Sequence, residues 1–109
     1  MNINEMTIGQ FKELSNIFNQ RSTKNPYVIG EKYFIRTVTH YFTGILEEVF
    51  ETELVLSSCA WIADTGRFNE GLRTGFSEVE PYPTDYVIIG RGALIDASPL
   101  QIALPNEVK

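Results

Sequence analysis

The sequence predicts an α+β fold: one N-terminal helix packed on a small five-stranded antiparallel barrel, with a helical insertion before the last two strands. Three observations predict it. Apolar residues recur at helical spacing near the start, at Ile8, Phe11, Leu14, Ile17 and Phe18. From Tyr27 onward the chain turns to runs rich in Tyr, Phe, Ile, Val and Thr, separated by short turns. Gly44 falls inside one of those runs, where a glycine marks a bulge or the sharp bend of a barrel strand.

The helix is expected at about 8–19. Thr7-Ile8-Gly9-Gln10 reads as its capping box, and the polar loop ending in Lys24-Asn25-Pro26 prevents its continuation. Barrel strands are expected within 32–62 and 86–97. Lys32–Tyr41, Thr43–Val49 and Glu53–Ile62 form a meander. The insertion, 63–85, opens with a short helix capped by Asp64 or Thr65, with Phe68 and Leu72 facing the core and Gly75 ending it. Pro81 and Pro83 make Phe76–Thr84 extended but not a central strand. Tyr86–Ile89 and Ala93–Ala97 complete the strands around a tight turn at Gly90-Arg91-Gly92. Ser98-Pro99-Leu100-Gln101 has the pattern of a capped helical turn, followed by a polar tail.

Composition narrows the function classes. The 109 residues make one domain, and an apolar share of 43% suffices for a core. A domain this short buries a modest share of its surface, so a homo-oligomer is expected. A formal net charge of −5, with nine Lys and Arg, opposes non-specific nucleic-acid binding. Cys59 is the one cysteine and His40 the one histidine, so neither a disulfide nor a zinc site is expected, and no metal or cofactor is implied. No apolar run approaches membrane-spanning length and no signal-peptide pattern opens the chain, so no membrane partner is expected and the cytoplasm is the expected location.

The chemistry-bearing residues read as a binding kit rather than an enzyme. No nucleophile–base pair, nucleophile elbow or Walker loop is present, and His40 sits alone where the first strand meets its turn. The central stretch is Trp61-Ile62-Ala63-Asp64-Thr65-Gly66-Arg67-Phe68. It gathers an indole, a carboxylate, a hydroxyl, a glycine and a guanidinium at a strand–helix junction. Arg36, Arg67 and Arg91 can take phosphate or carboxylate. Trp61, Phe68, Tyr82 and Tyr86 offer faces on which a base stacks. Asp64, Thr65 and the Gly66 backbone can supply hydrogen bonds. The competing reading is structural: Trp61 in the core, Arg67 paired with Asp64, Arg91 in a solvated turn.

Two resemblances extend this reading. Phe34-Ile35-Arg36, Thr43-Gly44-Ile45-Leu46 and Glu53-Leu54-Val55-Leu56, with Val87-Ile88-Ile89-Gly90-Arg91-Gly92-Ala93-Leu94-Ile95, resemble the two motifs of Sm proteins. That implies an Sm-like or SH3-like barrel. The box Trp61–Phe68, with Ile35-Arg36-Thr37-Val38-Thr39, Arg91-Gly92-Ala93 and Leu104-Pro105, resembles a family of small tailed-phage and prophage accessory proteins. This second resemblance implies a protein of the host-cell cytoplasm that counters host defence by binding. The expected function is sequestration of a nucleotide-derived or other small anionic ligand, a host immune signal. The ligand-binding residues would be Arg36, Trp61, Asp64, Thr65, Gly66, Arg67, Phe68 and Arg91. One alternative is a protein–protein inhibitor that mimics nucleic-acid charge with acidic faces. The other is an enzyme acting on a phosphorylated ligand.

Overall fold

The structure, a computed structural model, describes residues 25–109. The helix expected at about 8–19 lies outside the described residues. The elements are β1 (Lys32–Thr37), β2 (Tyr41–Val49), β3 (Glu53–Asp64), α1 (Phe68–Thr74), β4 (Glu78–Pro81), β5 (Tyr86–Gly90), a 3-10 turn (Arg91–Ala93) and β6 (Leu94–Pro99). They form one antiparallel sheet in the order β4-β3-β2-β1-β6, with β5 also paired to β3.

β3 is long enough to carry two partners on one edge. Glu53–Ser57 pairs with β5, and Ala60–Asp64 pairs with β4. The change of partner falls around Ser58, a non-glycine residue at φ 49, where the strand bulges. The sheet therefore has six strands rather than five. The sixth, β4, comes from the stretch expected to be extended but not central, and it sits at the edge, where Pro81 costs no interior ladder bond.

The bend expected at Gly44 is present. The β2–β3 register shifts between Thr43 and Ile45. A Cβ at Gly44 would lie 3.0 Å from the Ser57 carbonyl oxygen and 3.1 Å from the Leu56 Cβ. A side chain there would press on the Ser57 backbone and on Leu56, so glycine lets β2 and β3 approach this closely.

Alternation along the strands fills two cores on opposite faces. Tyr33, Ile35, Phe42, Leu46, Leu54, Leu56, Cys59 and Ile89 fill the barrel interior. Phe34, Ala60, Ile62, Phe76, Val79 and Leu100 form a second core under α1 and the C-terminal segment. Phe34 is its centre, stacked on Phe76 at 5.6 Å and edge-on to Tyr41 at 5.7 Å and Phe68 at 5.9 Å. Each such pair contributes about 0.5–1.5 kcal/mol beyond its buried area.

Two local expectations give way to tertiary pairing. Gly90-Arg91-Gly92 does not close a hairpin. The 3-10 turn carries the chain from β5, on β3, across to β6, on β1. It is tied at both ends, by Arg91 N–H to the Thr52 carbonyl and by Val38 N–H to the Ala93 carbonyl, each 2.9 Å. Ser98–Gln101 forms no helical turn either. Ser98 pairs with Phe34, and Leu100 is buried with its N–H donated to the Lys32 carbonyl at 2.9 Å. The tail is not a free polar end: Val79 and Lys109 exchange backbone hydrogen bonds at 3.0 Å.

Candidate ligand-binding cleft

Trp61 lies between Ala60 and Ile62, which both bury in the second core, so alternation turns its indole to the other face of the sheet. It sits there at the rim of the barrel, 38% exposed rather than in the core. Its ring centroid is 5.9 Å from His40, and the His40 ring stacks on Phe42 at the same separation. Phe42 is in turn 6.2 Å from Tyr82. A cleft of about 350 Å³ opens beside this row, lined by Thr37, Thr39, His40, Trp61, Ala63 and Ile95 among others.

The hairpin that forms its wall is pinned from within. The Thr37 hydroxyl donates to the His40 carbonyl at 2.9 Å and accepts the His40 N–H at 2.9 Å and the Thr39 N–H at 3.3 Å. The Thr39 hydroxyl lies 2.7 Å from His40 Nδ1. The Thr37 bonds fix the His40 backbone, and the Thr39 hydroxyl with the Phe42 and Trp61 rings places the imidazole.

Arg36 reaches the rim of the same cleft from the opposite face of the sheet. Its guanidinium grips Asp96 of β6, Nε to Oδ1 at 3.0 Å and Nη2 to Oδ2 at 2.5 Å, and lies 5.5 Å from the centre of the Phe68 ring. Hydrogen bonding to Arg36 holds the Asp96 carboxyl below its ordinary range, and the same bonds raise Arg36. Tyr41, at the same rim, also interacts with the guanidinium and adds to the raised value of Arg36.

The Asp64–Arg67 bend differs from its expected geometry. α1 begins only at Phe68, and its cap, Arg67, makes no side-chain capping bond. Asp64 closes a turn instead: its Oδ1 accepts the Gly66 N–H at 2.8 Å. Gly66 is at φ +72, and a Cβ there would meet the Ser77 hydroxyl at 2.5 Å. Thr65 is buried, and its hydroxyl donates to the Gly66 carbonyl at 2.8 Å. The Gly66 N–H is thus already satisfied, and one oxygen of the Asp64 carboxylate is engaged in the turn. Arg67 is exposed and forms no ion pair with Asp64; among the described residues the ion pair is Arg36–Asp96.

Arg91 has a different task. Its Nη1 donates to the Phe50 carbonyl at 2.6 Å and its guanidinium lies 5.5 Å from the Tyr27 ring centre, which fastens the 3-10 turn to the β2–β3 hairpin. It does not line the Trp61 cleft. Of the eight expected residues, the structure brings Arg36 and Trp61 to one cleft and joins Phe68 to Arg36. Asp64, Thr65 and Gly66 form the adjoining turn, and Arg67 and Arg91 stand apart. Sequence reasoning missed His40 as an aromatic wall. The available signal was its alternation with Phe42, which places both on one face once β2 is paired to β3.

No known protein family matches the chain by sequence, and no curated protein does. Solved structures do match. One is a heptameric archaeal Sm protein, described with implications for the eukaryotic snRNP core. It has 17% identity and a TM-score of 0.50, and the match covers 67% of this chain and 90% of that one. The P. aerophilum SmAP1 heptamer matches with the same identity and TM-score over 67% of this chain and 82% of that one. At this identity the likeness concerns the backbone architecture, and it shows that the bent antiparallel sheet of this chain has an Sm-like fold.

Proposed function

We propose that the chain is a phage accessory protein of the host-cell cytoplasm that, as a homo-oligomer, sequesters a nucleotide-derived or other small anionic ligand, a host immune signal. The observation that carries the binding mode is Trp61, a solvent-facing indole set against His40 at the mouth of a pinned cleft. A base stacked on such a ring gains about 1–3 kcal/mol. Arg36 is already oriented by Asp96 at the rim of the same cleft, so an anionic group that meets its guanidinium incurs little of the usual ordering cost. The anti-defence role rests on the resemblance of the Trp61–Phe68 box to phage accessory proteins. Oligomerisation is supported by the heptameric Sm structures that share the fold.

One observation favours a second reading. Glu47, Glu48, Glu51 and Glu53 are all exposed around the β2–β3 hairpin, an acidic edge that a host nucleic-acid-binding protein could grip. Recovery of the protein from host lysate, followed by denaturation and mass spectrometry of what it releases, separates the readings. An intact nucleotide-like compound is expected, with Trp61→Ala carrying about 5- to 100-fold less at equal folded amounts. A co-recovered host protein with no small molecule would establish the inhibitor instead, and a released hydrolysis product would establish an enzyme.

A further inference from the structure

β4 sets an acid beside the one tryptophan. Glu80 is paired directly opposite Trp61, which puts the carboxylate and the indole on one face of the sheet, with Cβ atoms about 4.5–5.5 Å apart in such a pair. Tyr82 follows two residues later between Pro81 and Pro83, its N–H donated to the Cys59 carbonyl at 2.9 Å. These five residues line an open cleft of about 230 Å³, distinct from the cleft lined by His40. Trp61 and Tyr82 are 38% and 37% exposed, and Glu80 is exposed too. None of the five is cationic, and among the described residues Glu80 has no ion-pair partner. Glu78 on the same strand and Asp85 in the loop beyond are also exposed, so the surroundings are acidic.

We propose that this cleft receives an arginine side chain from a partner protein. The inference goes beyond the small-ligand reading and does not depend on it, because Arg36 stands at the other cleft. A planar guanidinium does two things at once in such a place: it lies against an aromatic ring and meets a carboxylate through paired N–H groups. The chain holds a completed example within itself. The Arg36 guanidinium is bound by the Asp96 carboxylate and lies 5.5 Å from the centre of the Phe68 ring. The β4 cleft presents the other two parts, a carboxylate and aromatic walls. Its size suits one side chain better than a whole small molecule, since 230 Å³ falls below the roughly 300–1,000 Å³ of ordinary small-molecule pockets. Negative charge on Glu78, Glu80 and Asp85 favours the approach of a basic segment and opposes a phosphate. Tryptophan, tyrosine and arginine are also the residues on which binding energy concentrates in protein interfaces.

Trp61 is the one tryptophan, so its fluorescence and its indole N–H resonance report occupancy directly. The probes are a peptide with one central arginine and uncharged flanks, the same peptide with lysine or with citrulline at that place, and N-acetyl-arginine amide alone. Citrulline keeps the shape of arginine without its charge. The arginine peptide is expected to bind about tenfold or more tightly than the citrulline peptide, as the loss of a charge-assisted hydrogen bond implies. Glu80→Gln should erase that preference and leave the melting midpoint unchanged, because Glu80 is exposed. Asp85→Asn, which removes the same charge outside the cleft, should keep most of the preference. Small-ligand recovery from host lysate should be equal for Glu80→Gln and the wild type, so the two readings fail separately. Equal binding of the arginine and citrulline peptides overturns the proposal. So does an equal loss in Glu80→Gln and Asp85→Asn, which would mean diffuse attraction between opposite charges. Lysine bound as tightly as arginine overturns the stacked guanidinium. N-acetyl-arginine amide bound as tightly as the peptide overturns the partner protein and assigns the cleft to a free organic cation.

Discussion

Arg36 and Arg67 show how differently two arginines of one sequence can be placed. Arg36 is held on two nitrogens by Asp96 and packs over Phe68, whereas Arg67 is exposed at the head of α1 with no ion pair among the described residues. Freezing a loose arginine offsets part of what it gains from an anion, so Arg67→Ala should change neither ligand affinity nor melting midpoint, within error. Arg36→Ala should lower both. The pair also carries a pH signature. Asp96 titrates below its ordinary value of 3.8 because Arg36 hydrogen-bonds its charged form. Its contribution is therefore fully present above that value and is lost as the pH falls through the depressed one. Both side chains are partly solvated, so the effect is small. Melting midpoints between pH 5 and 2 should show an acid-side decline in the wild type that is shallower in Asp96→Asn. Parallel curves would mean that the pair contributes nothing to stability.

Strand identity was legible where the pattern is local, and less so where distant segments compete. β1, β2 and β3 follow from their β-rich composition, and the bend follows from a lone glycine inside such a run. The ends of β1 and β2 were misplaced: β1 stops at Thr37 and β2 begins at Tyr41, because the Thr37 side chain folds the intervening residues into a turn. The capping-box pattern at Ser98–Gln101 loses to the pairing of Ser98 with β1 and the burial of Leu100, which a local motif cannot foresee. The site shows the same limit. Trp61 was readable as a junction aromatic, but its closeness to His40 and Tyr82 depends on β2 and β4 flanking β3, a register no short window contains. Gly44 tests the part that was legible. In Gly44→Val the new side chain would press on Ser57 and Leu56, already at 3.0 and 3.1 Å from a bare Cβ. Overpacking of this kind costs about 1–3 kcal/mol. Urea unfolding should show that loss with an unchanged slope, and an unchanged midpoint would mean the bend has room to spare.

Assembly follows from which sheet edges the chain leaves unpaired. β3 is flanked on both sides, by β2 and by β4 with β5, so it cannot pair between subunits along its length as the expected 53–62 segment would require. The second expected segment, 86–97, fits better. Within the described residues β5 pairs only with β3 and β6 only with β1, and the 3-10 turn separates the two without pairing them. Tyr86 and Ile88 on β5 and Ile95 on β6 are all more than half exposed, an apolar load that an unpaired edge rarely carries in a monomer. A β5 edge meeting the β6 edge of the next copy is a head-to-tail contact, which closes into a ring when the rotation per subunit divides the circle. Ile88→Lys places a charge on that edge, and because Ile88 faces solvent within the chain its folding should be nearly unaffected. Light scattering at micromolar concentration should report a wild-type mass at a multiple of 12.4 kDa. Ile88→Lys should shift it toward a single chain while circular dichroism stays the same. A wild type that scatters as one 12.4 kDa chain would show that the exposed edges serve something other than copies of this protein.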